Sequence, residues 1–299
     1  MKIFYGLVDN KIDVSYICLD KLTKNNIISI PSKDHERARF FTDPICGTRK
    51  NIFILNDETL TEYDDKTQVK INLTDNTIIT IIDNVIDVEE NLKNIHSKLK
   101  IKHGSLYDEV PEQKLAIKYL TGNEKVLEIG SNIGRNSLII GYILREKDNN
   151  DFVTLETDPD IFKQLIENRD LNFMDFHVEN SALSKRNLIQ SGWETKESDI
   201  LLEGYISVKK ISFDELYKKY NINFDTLVID CEGAFYYILM DMPEILNNVN
   251  LIIMENDYRN INDKIYIDNI LKENNFYRDY CESGGWGPCE KFFFEVWKK

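Results

Sequence analysis

Apolar and polar positions along the chain follow two different rhythms. Through the first hundred residues, short runs rich in Ile, Val, Phe, Tyr and Thr occupy 2–8, 14–18, 27–30, 52–55, 68–73 and 77–82. Breaks such as Asp9-Asn10 and Asn56-Asp57 separate them. Such runs between turn-forming Asp and Asn predict strands, so this part reads as a small β-rich module. Val88, Leu92, Ile95 and Leu99 then recur at helical spacing, which predicts a bridging helix over 88–99.

From residue 101 the rhythm becomes an alternation. Strands are predicted at 125–129, 152–156, 176–180, 226–230 and 250–255, and helices at 136–145, 159–168, 235–241 and 263–273. Further β-prone stretches lie at 201–211, 276–280 and 291–297, and Ser212 with Glu215 forms a capping box for a helix through Tyr217. This order predicts right-handed βαβ units on a largely parallel sheet, with ligands at the carboxyl ends of the strands. The expected division is a module of residues 1–100 and an α/β domain of residues 101–299.

Charge supports that division and narrows the chemistry. The net charge is −14 with a pI near 4.9. Residues 1–100 contribute −2 and the remainder −12. An acidic chain argues against nucleic acid as the main partner. The apolar runs are too short for a membrane span, and Asp9 interrupts the N-terminal stretch too early for a signal peptide. Five cysteines (18, 46, 231, 281, 289) contain no C-x-x-C pair, and His35, His96, His103 and His177 have no metal-ligand spacing. No metal is therefore expected, and the compartment is expected to be cytoplasmic. One local exception to the acidity, Lys33 to Lys50, reads as a solvated basic face or a holder of phosphate or acidic glycan.

The sharpest local feature is Glu128-Ile129-Gly130-Ser131-Asn132-Ile133-Gly134 at the end of a predicted strand. Glycines there let another group approach the backbone, and the acidic start suits a cationic or hydroxyl-rich ligand. Glu156 ends the next strand, where an α/β nucleoside site sets a carboxylate against ribose hydroxyls. Asp230-Cys231-Glu232-Gly233 ends a third strand. Two carboxylates there suit general acid–base work, since like charges raise one pKa, and helix capping is the plainer alternative. Glu255, at a further strand end, is a substrate-side candidate, as is Trp286 in the turn Gly284-Gly285-Trp286-Gly287, a lid or sugar-stacking platform.

Taken in order, Glu128–Gly134 with Asn136-Ser137, Glu156-Thr157-Asp158-Pro159, Asn180-Ser181-Ala182-Leu183-Ser184, Ile211–Leu216, Ile229–Ala234 and Ile252–Glu255 resemble the FkbM methyltransferases over roughly residues 105–299. The resemblance implies a seven-stranded class I methyltransferase fold, the cofactor S-adenosyl-L-methionine, and an acceptor hydroxyl on a sugar, glycan or polyketide. It implies that Glu128, Gly130, Ser131, Asn132 and Gly134 line the methionine end, Glu156 the ribose, and Ser181 and Ala182 the adenine. Val228 and Phe235 stand where the family often has Lys and Glu. The expectation is an O-methyltransferase with Asp230 or Glu232 as base, and a homo-oligomer stays open. An inactive methyltransferase-fold binding module and an N-methyltransferase are the other readings.

Overall fold

The computed structural model of the 299-residue chain describes every position except 43, 46, 47, 83–87 and 193, together with the side chains of 35 and 82. Cys46 and the His35 side chain thus lie outside the described residues. The chain divides into two compact units, Met1–Ile86 and Asp87–Lys299.

The first unit is built from β1 (Lys2–Leu7), β2 (Asn10–Asp13), α1 (Ser15–Lys21), β3 (Thr23–Lys24), β4 (Ile27–Ile30), α2 (Asp34–Phe41), β5 (Asn51–Asn56), β6 (Thr59–Tyr63), β7 (Thr67–Asn72) and β8 (Ile78–Ile82). Two antiparallel sheets form, β2-β1-β5-β6 and β3-β4-β7-β8. Alternate side chains of both, such as Ile3, Tyr5 and Ile54 against Ile28, Ile30 and Val69, share one core. The strand expected at 14–18 is instead the start of a helix. Val14 and Cys18 are both buried, and a spacing of four puts them on one helical face, which outweighs local β-propensity. The basic exception also resolves into structure. Arg37 and Lys50 are fully buried and donate to backbone carbonyls, Arg37 to Pro31, Asp64 and Thr67, Lys50 to Ile45 and Thr48. These two cations are engaged by the module's own loops.

The second unit contains α3 (Val88–Lys98), α4 (Val110–Tyr119), β9 (Val126–Ile129), α5 (Arg135–Arg145), β10 (Phe152–Leu155), α6 (Pro159–Leu171), β11 (His177–Glu179) and β12 (Ala182–Leu183). There follow β13 (Leu188–Ser191), β14 (Glu194–Glu197), β15 (Ile206–Val208), β16 (Lys210–Ile211), α7 (Phe213–Tyr220), β17 (Thr226–Ile229), α8 (Phe235–Asp241), β18 (Leu251–Glu255), α9 (Ile261–Glu273), β19 (Tyr277–Glu282) and β20 (Phe294–Lys298). Leu92, Ile95 and Leu99 share a core with Leu115, Ala116 and Leu138. The bridging helix therefore packs within the second unit, and the boundary falls ahead of it rather than near residue 100.

Seven strands form one sheet in the order β11-β10-β9-β17-β18-β20-β19. All neighbours are parallel except those of β20, which runs antiparallel to β18 and β19. Both faces are covered, so the central strands read as continuous apolar runs. Leu127, Ile129 and Leu227 pack under α7, α8 and α9, while Val126, Val228 and Ile253 pack under α3, α4 and α5. Strand order reverses between β9 and β17, and a crevice opens outside their carboxyl ends at that switch point. An inserted antiparallel sheet, β14-β13-β15, leaves the main sheet after β12.

Two glycines let these elements meet. Gly130 has φ +88°, and a Cβ on it would lie 1.6 Å from the Asp230 carbonyl oxygen. Gly134 has φ +90°, and a Cβ there would lie 2.2 Å from Cδ1 of Leu165 on α6. Both glycines serve contacts within the protein, so Gly130→Ala is expected to destabilise the fold by about 2 kcal/mol or more. Urea denaturation of the variant measures this.

Candidate functional site

The crevice is a cleft of about 1100 Å³. Nine of the sequence-derived residues line it: Gly130, Asn132, Glu156, Ser181, Ala182, Asp230, Glu232, Glu255 and Trp286. They arrive from five strand ends and one turn. Gly130 and Asn132 follow β9, Glu156 follows β10, Ser181 and Ala182 follow β11, Asp230 and Glu232 follow β17, and Glu255 ends β18. Trp286 enters from the turn between β19 and β20, its side chain half exposed. Three of the loop residues do not line the cleft. The Ser131 hydroxyl donates to the Leu155 carbonyl at 3.0 Å, and Gly134 seats α5 against Leu165.

Glu128, the third, is buried beneath the cleft and accepts from the Ser137 and Thr154 hydroxyls. Its neighbours in register are Thr154 and Val228. Val228 therefore abuts Glu128 within the sheet and does not line the cleft. Without a cation beside it, burial pushes the Glu128 carboxyl up to about 7, and the two hydroxyls only partly oppose that. An acid whose pKa is raised on folding favours the native state while protonated. Its stabilising share is full below the ordinary value of 4.5 and is lost as pH rises toward about 7. Glu128→Gln removes the charge and retains an acceptor for both hydroxyls. It is expected to gain stability over the parent between pH 5 and pH 8, by up to about 3 kcal/mol. Urea midpoints at the two pH values test this.

The floor of the cleft is a cluster of carboxylates. Asp230 is forced well above the ordinary range by burial, then by repulsion from Glu109, Asp257, Glu112 and Glu232. Glu255 is pushed far up by burial, then by a hydrogen bond to Glu112 and by repulsion from Asp230. Glu232 has left-handed backbone, φ 51°, and is raised by burial against the opposing charge of Arg259. Asp257 is pushed up to about 7 by burial and by Glu232, and accepts the Gly233 N–H at 2.8 Å. Arg135 at the start of α5 supplies a cation. It donates to Glu109 at 2.7 Å and lies 3.4 Å from Asp108. A cationic centre entering this floor would relieve the repulsion and restore ionised carboxylates.

The wall near Glu156 is different. This carboxylate is buried, and burial raises it, while backbone N–H groups of Asp158, Asn132 and Thr157 oppose the shift. The Asp158 N–H donates at 2.8 Å. Ser181, also buried, has a hydroxyl without a partner among the described residues. A buried acceptor, an orphaned hydroxyl and an acidic floor in one cleft could receive ribose hydroxyls, a base and a cationic centre. Sequence reading missed α4 with Glu109 and Glu112, although Pro111 in its first turn was an available signal. It also missed Arg135 as the floor's cation, and β13 and β14, which are too short and polar to stand out.

No family model matches the chain, and no curated protein matches it. Solved structures do. An O-methyltransferase from Bacillus cereus in complex with SAH matches with 14% identity over 73% of this chain and 94% of its own, TM-score 0.41. A ribosomal protein L11 methylase from Lactobacillus delbrueckii subsp. bulgaricus matches with 14% identity over 64% and 80%, TM-score 0.39. A protein in the NADB-Rossmann superfamily from Streptococcus agalactiae matches with 13% identity over 67% and 69%, TM-score 0.40. By its own topology the second unit is a Rossmann-like α/β fold, a seven-stranded sheet with one antiparallel strand. Among the described residues no group of His, Cys, Asp and Glu could hold a metal ion, and no helix is long and apolar enough to cross a membrane.

Proposed function

We propose that the protein is an S-adenosylmethionine-dependent O-methyltransferase of the FkbM type, acting on a hydroxyl of a sugar or glycan. The observation that carries the reading is the convergence of Gly130, Glu156 and Asp230, from the ends of β9, β10 and β17, in one cleft at the switch point. The cofactor supplies an activated methyl on a cationic sulfur. Glu156 would hold the ribose hydroxyls, Ser181 and Ala182 the adenine, and the backbone at Gly130 and Asn132 the methionine end.

The chain's own residues supply positioning and a proton acceptor. A sugar hydroxyl is a poor nucleophile until it loses its proton, and a base is strongest when its pKa is high. Asp230, crowded by four other carboxylates, has that character once ionised. The proton passes to a carboxylate oxygen of Asp230, and Glu232 beside it orients the acceptor. Exclusion of bulk water by the inserted sheet and Trp286 favours transfer to the acceptor. Calorimetry with S-adenosylhomocysteine, followed by methyl transfer to a panel of glycans, tests the reading. Absence of cofactor binding would refute it.

A further inference from the structure

The inserted sheet β14-β13-β15 forms one wall of the cleft, through Leu188, Gln190, Thr195 and Lys196. β13 is its central strand, with Gln190 opposite Thr195 on one side and Ile206 on the other. Leu188 and Gln190 are two residues apart and so share the face that borders the cleft. Gln190 is only 7% exposed. Its side-chain amide N–H donates to the Gly192 carbonyl at 3.0 Å. That bond fixes the amide orientation, because the reverse would set two oxygens against each other. The remaining atom, Oε1, is buried and has no partner among the described residues. A buried carbonyl oxygen on a cleft wall calls for a donor, an O–H or N–H, from whatever occupies the cleft.

Two facts separate this wall from the cofactor end. Lys210 is in register with Ala182, whereas Ile206, four residues earlier on the same run, is in register with Gln190. Four extended residues span about 13 Å, so Gln190 stands well away from the adenine-side residues Ser181 and Ala182. The cleft of about 1100 Å³ also exceeds the roughly 300–1,000 Å³ typical of a single small-molecule site, which leaves room for a second ligand.

We infer that the wall formed by the inserted sheet is the acceptor subsite, and that Gln190 is a specificity-determining residue whose Oε1 receives a hydrogen bond from a hydroxyl of a polyhydroxylated acceptor. The inference rests on the methyltransferase reading and adds where the acceptor lies. An acceptor lacking a donor at that point leaves Oε1 unpaired and is discriminated against, which is how a site built for a hydroxyl rejects its deoxy analogue.

The experiment uses the full chain saturated with S-adenosylhomocysteine and three probes, the methyl α-glycosides of glucose, galactose and mannose, followed by saturation-transfer NMR. At least one probe is expected to bind the parent. Gln190→Met, similar in shape but without the acceptor oxygen, is expected to weaken that binding about tenfold and to leave S-adenosylhomocysteine affinity within about twofold. The deoxy analogues of the bound glycoside, measured on the parent, are expected to weaken about tenfold at one hydroxyl position, which keeps the test decisive if the Met variant is unstable. Binding of no glycoside, equal binding by the parent and Gln190→Met, or a loss confined to cofactor affinity would each overturn the inference. The last result would assign Gln190 to the adenine amino group. Failure of the parent to bind S-adenosylhomocysteine would remove the underlying reading as well. Intact cofactor binding with glycoside binding indifferent to Gln190 would remove this inference alone.

Discussion

Asp230→Asn is expected to slow methyl transfer to a true acceptor by about 10²–10⁴-fold, the usual contribution of a general base, with cofactor affinity changed by no more than about threefold. The substitution keeps shape and removes only the ability to take a proton. A capping role predicts the opposite outcome, since Asn caps a helix as well as Asp does. The helix that follows, α8, begins at Phe235 with Ala234 as its cap and no side-chain cap bond, so Asp230 is not performing that task. The pH profile gives a second criterion. Burial and the surrounding carboxylates hold Asp230 protonated well above the ordinary acid range. The rate should therefore rise with pH as the base ionises, and a bound sulfonium should draw that rise to lower pH. Single-turnover rates across pH, for the parent and Asp230→Asn, decide the matter. A variant rate within about threefold of the parent would transfer the role to Glu255, whose carboxyl is likewise pushed far up by burial and by Glu112.

Glu156→Gln is expected to weaken S-adenosylhomocysteine binding by roughly 10- to 100-fold, because hydrogen bonds to a charged group contribute about 1.5–3 kcal/mol each. The carboxylate sits at the end of β10, 8% exposed, and backbone N–H groups aim it without neutralising it. The amide retains the size and one acceptor, so the loss reports charge and hydrogen bonding and not a collapsed wall. Calorimetry measures it, with a thermal melt to show that the fold is intact. Unchanged affinity would remove Glu156 from the cofactor site. This variant is cleaner than any change at Gly130, where a Cβ collides with the backbone at Asp230 before a ligand is involved.

Much of this site was legible one strand end at a time. The glycine loop, Glu156, Asp230-Cys231-Glu232 and Glu255 each follow an apolar run long enough to be a strand, and the structure brings all of them to one cleft. Where the reading failed, side-chain direction was the cause. Glu128 precedes Gly130 by two residues and looks like part of the loop, yet period-2 alternation turns it into the sheet toward Ser137 and Thr154. By the same alternation Val228 packs beside it under the helices. The helix expected to bridge the two parts buries Leu92 and Ile95 against α4 and α5, a preference that spacing alone does not reveal.

By itself the sequence determined the strands of the main sheet and most of the helices between them, their alternation and hence a largely parallel sheet, because apolar periodicity and capping residues such as Ser212 and Glu215 act over a few neighbouring positions. Only the tertiary structure decided what those elements bring together. The approach of Asp230 to the Gly130 loop depends on β9 pairing with β17 across about a hundred residues of chain, and the hydrogen bond between Glu112 and Glu255 depends on α4 reaching the end of β18. Electrostatic and packing terms between residues far apart in sequence vary with distance and burial, and these exist only once the sheet order is set.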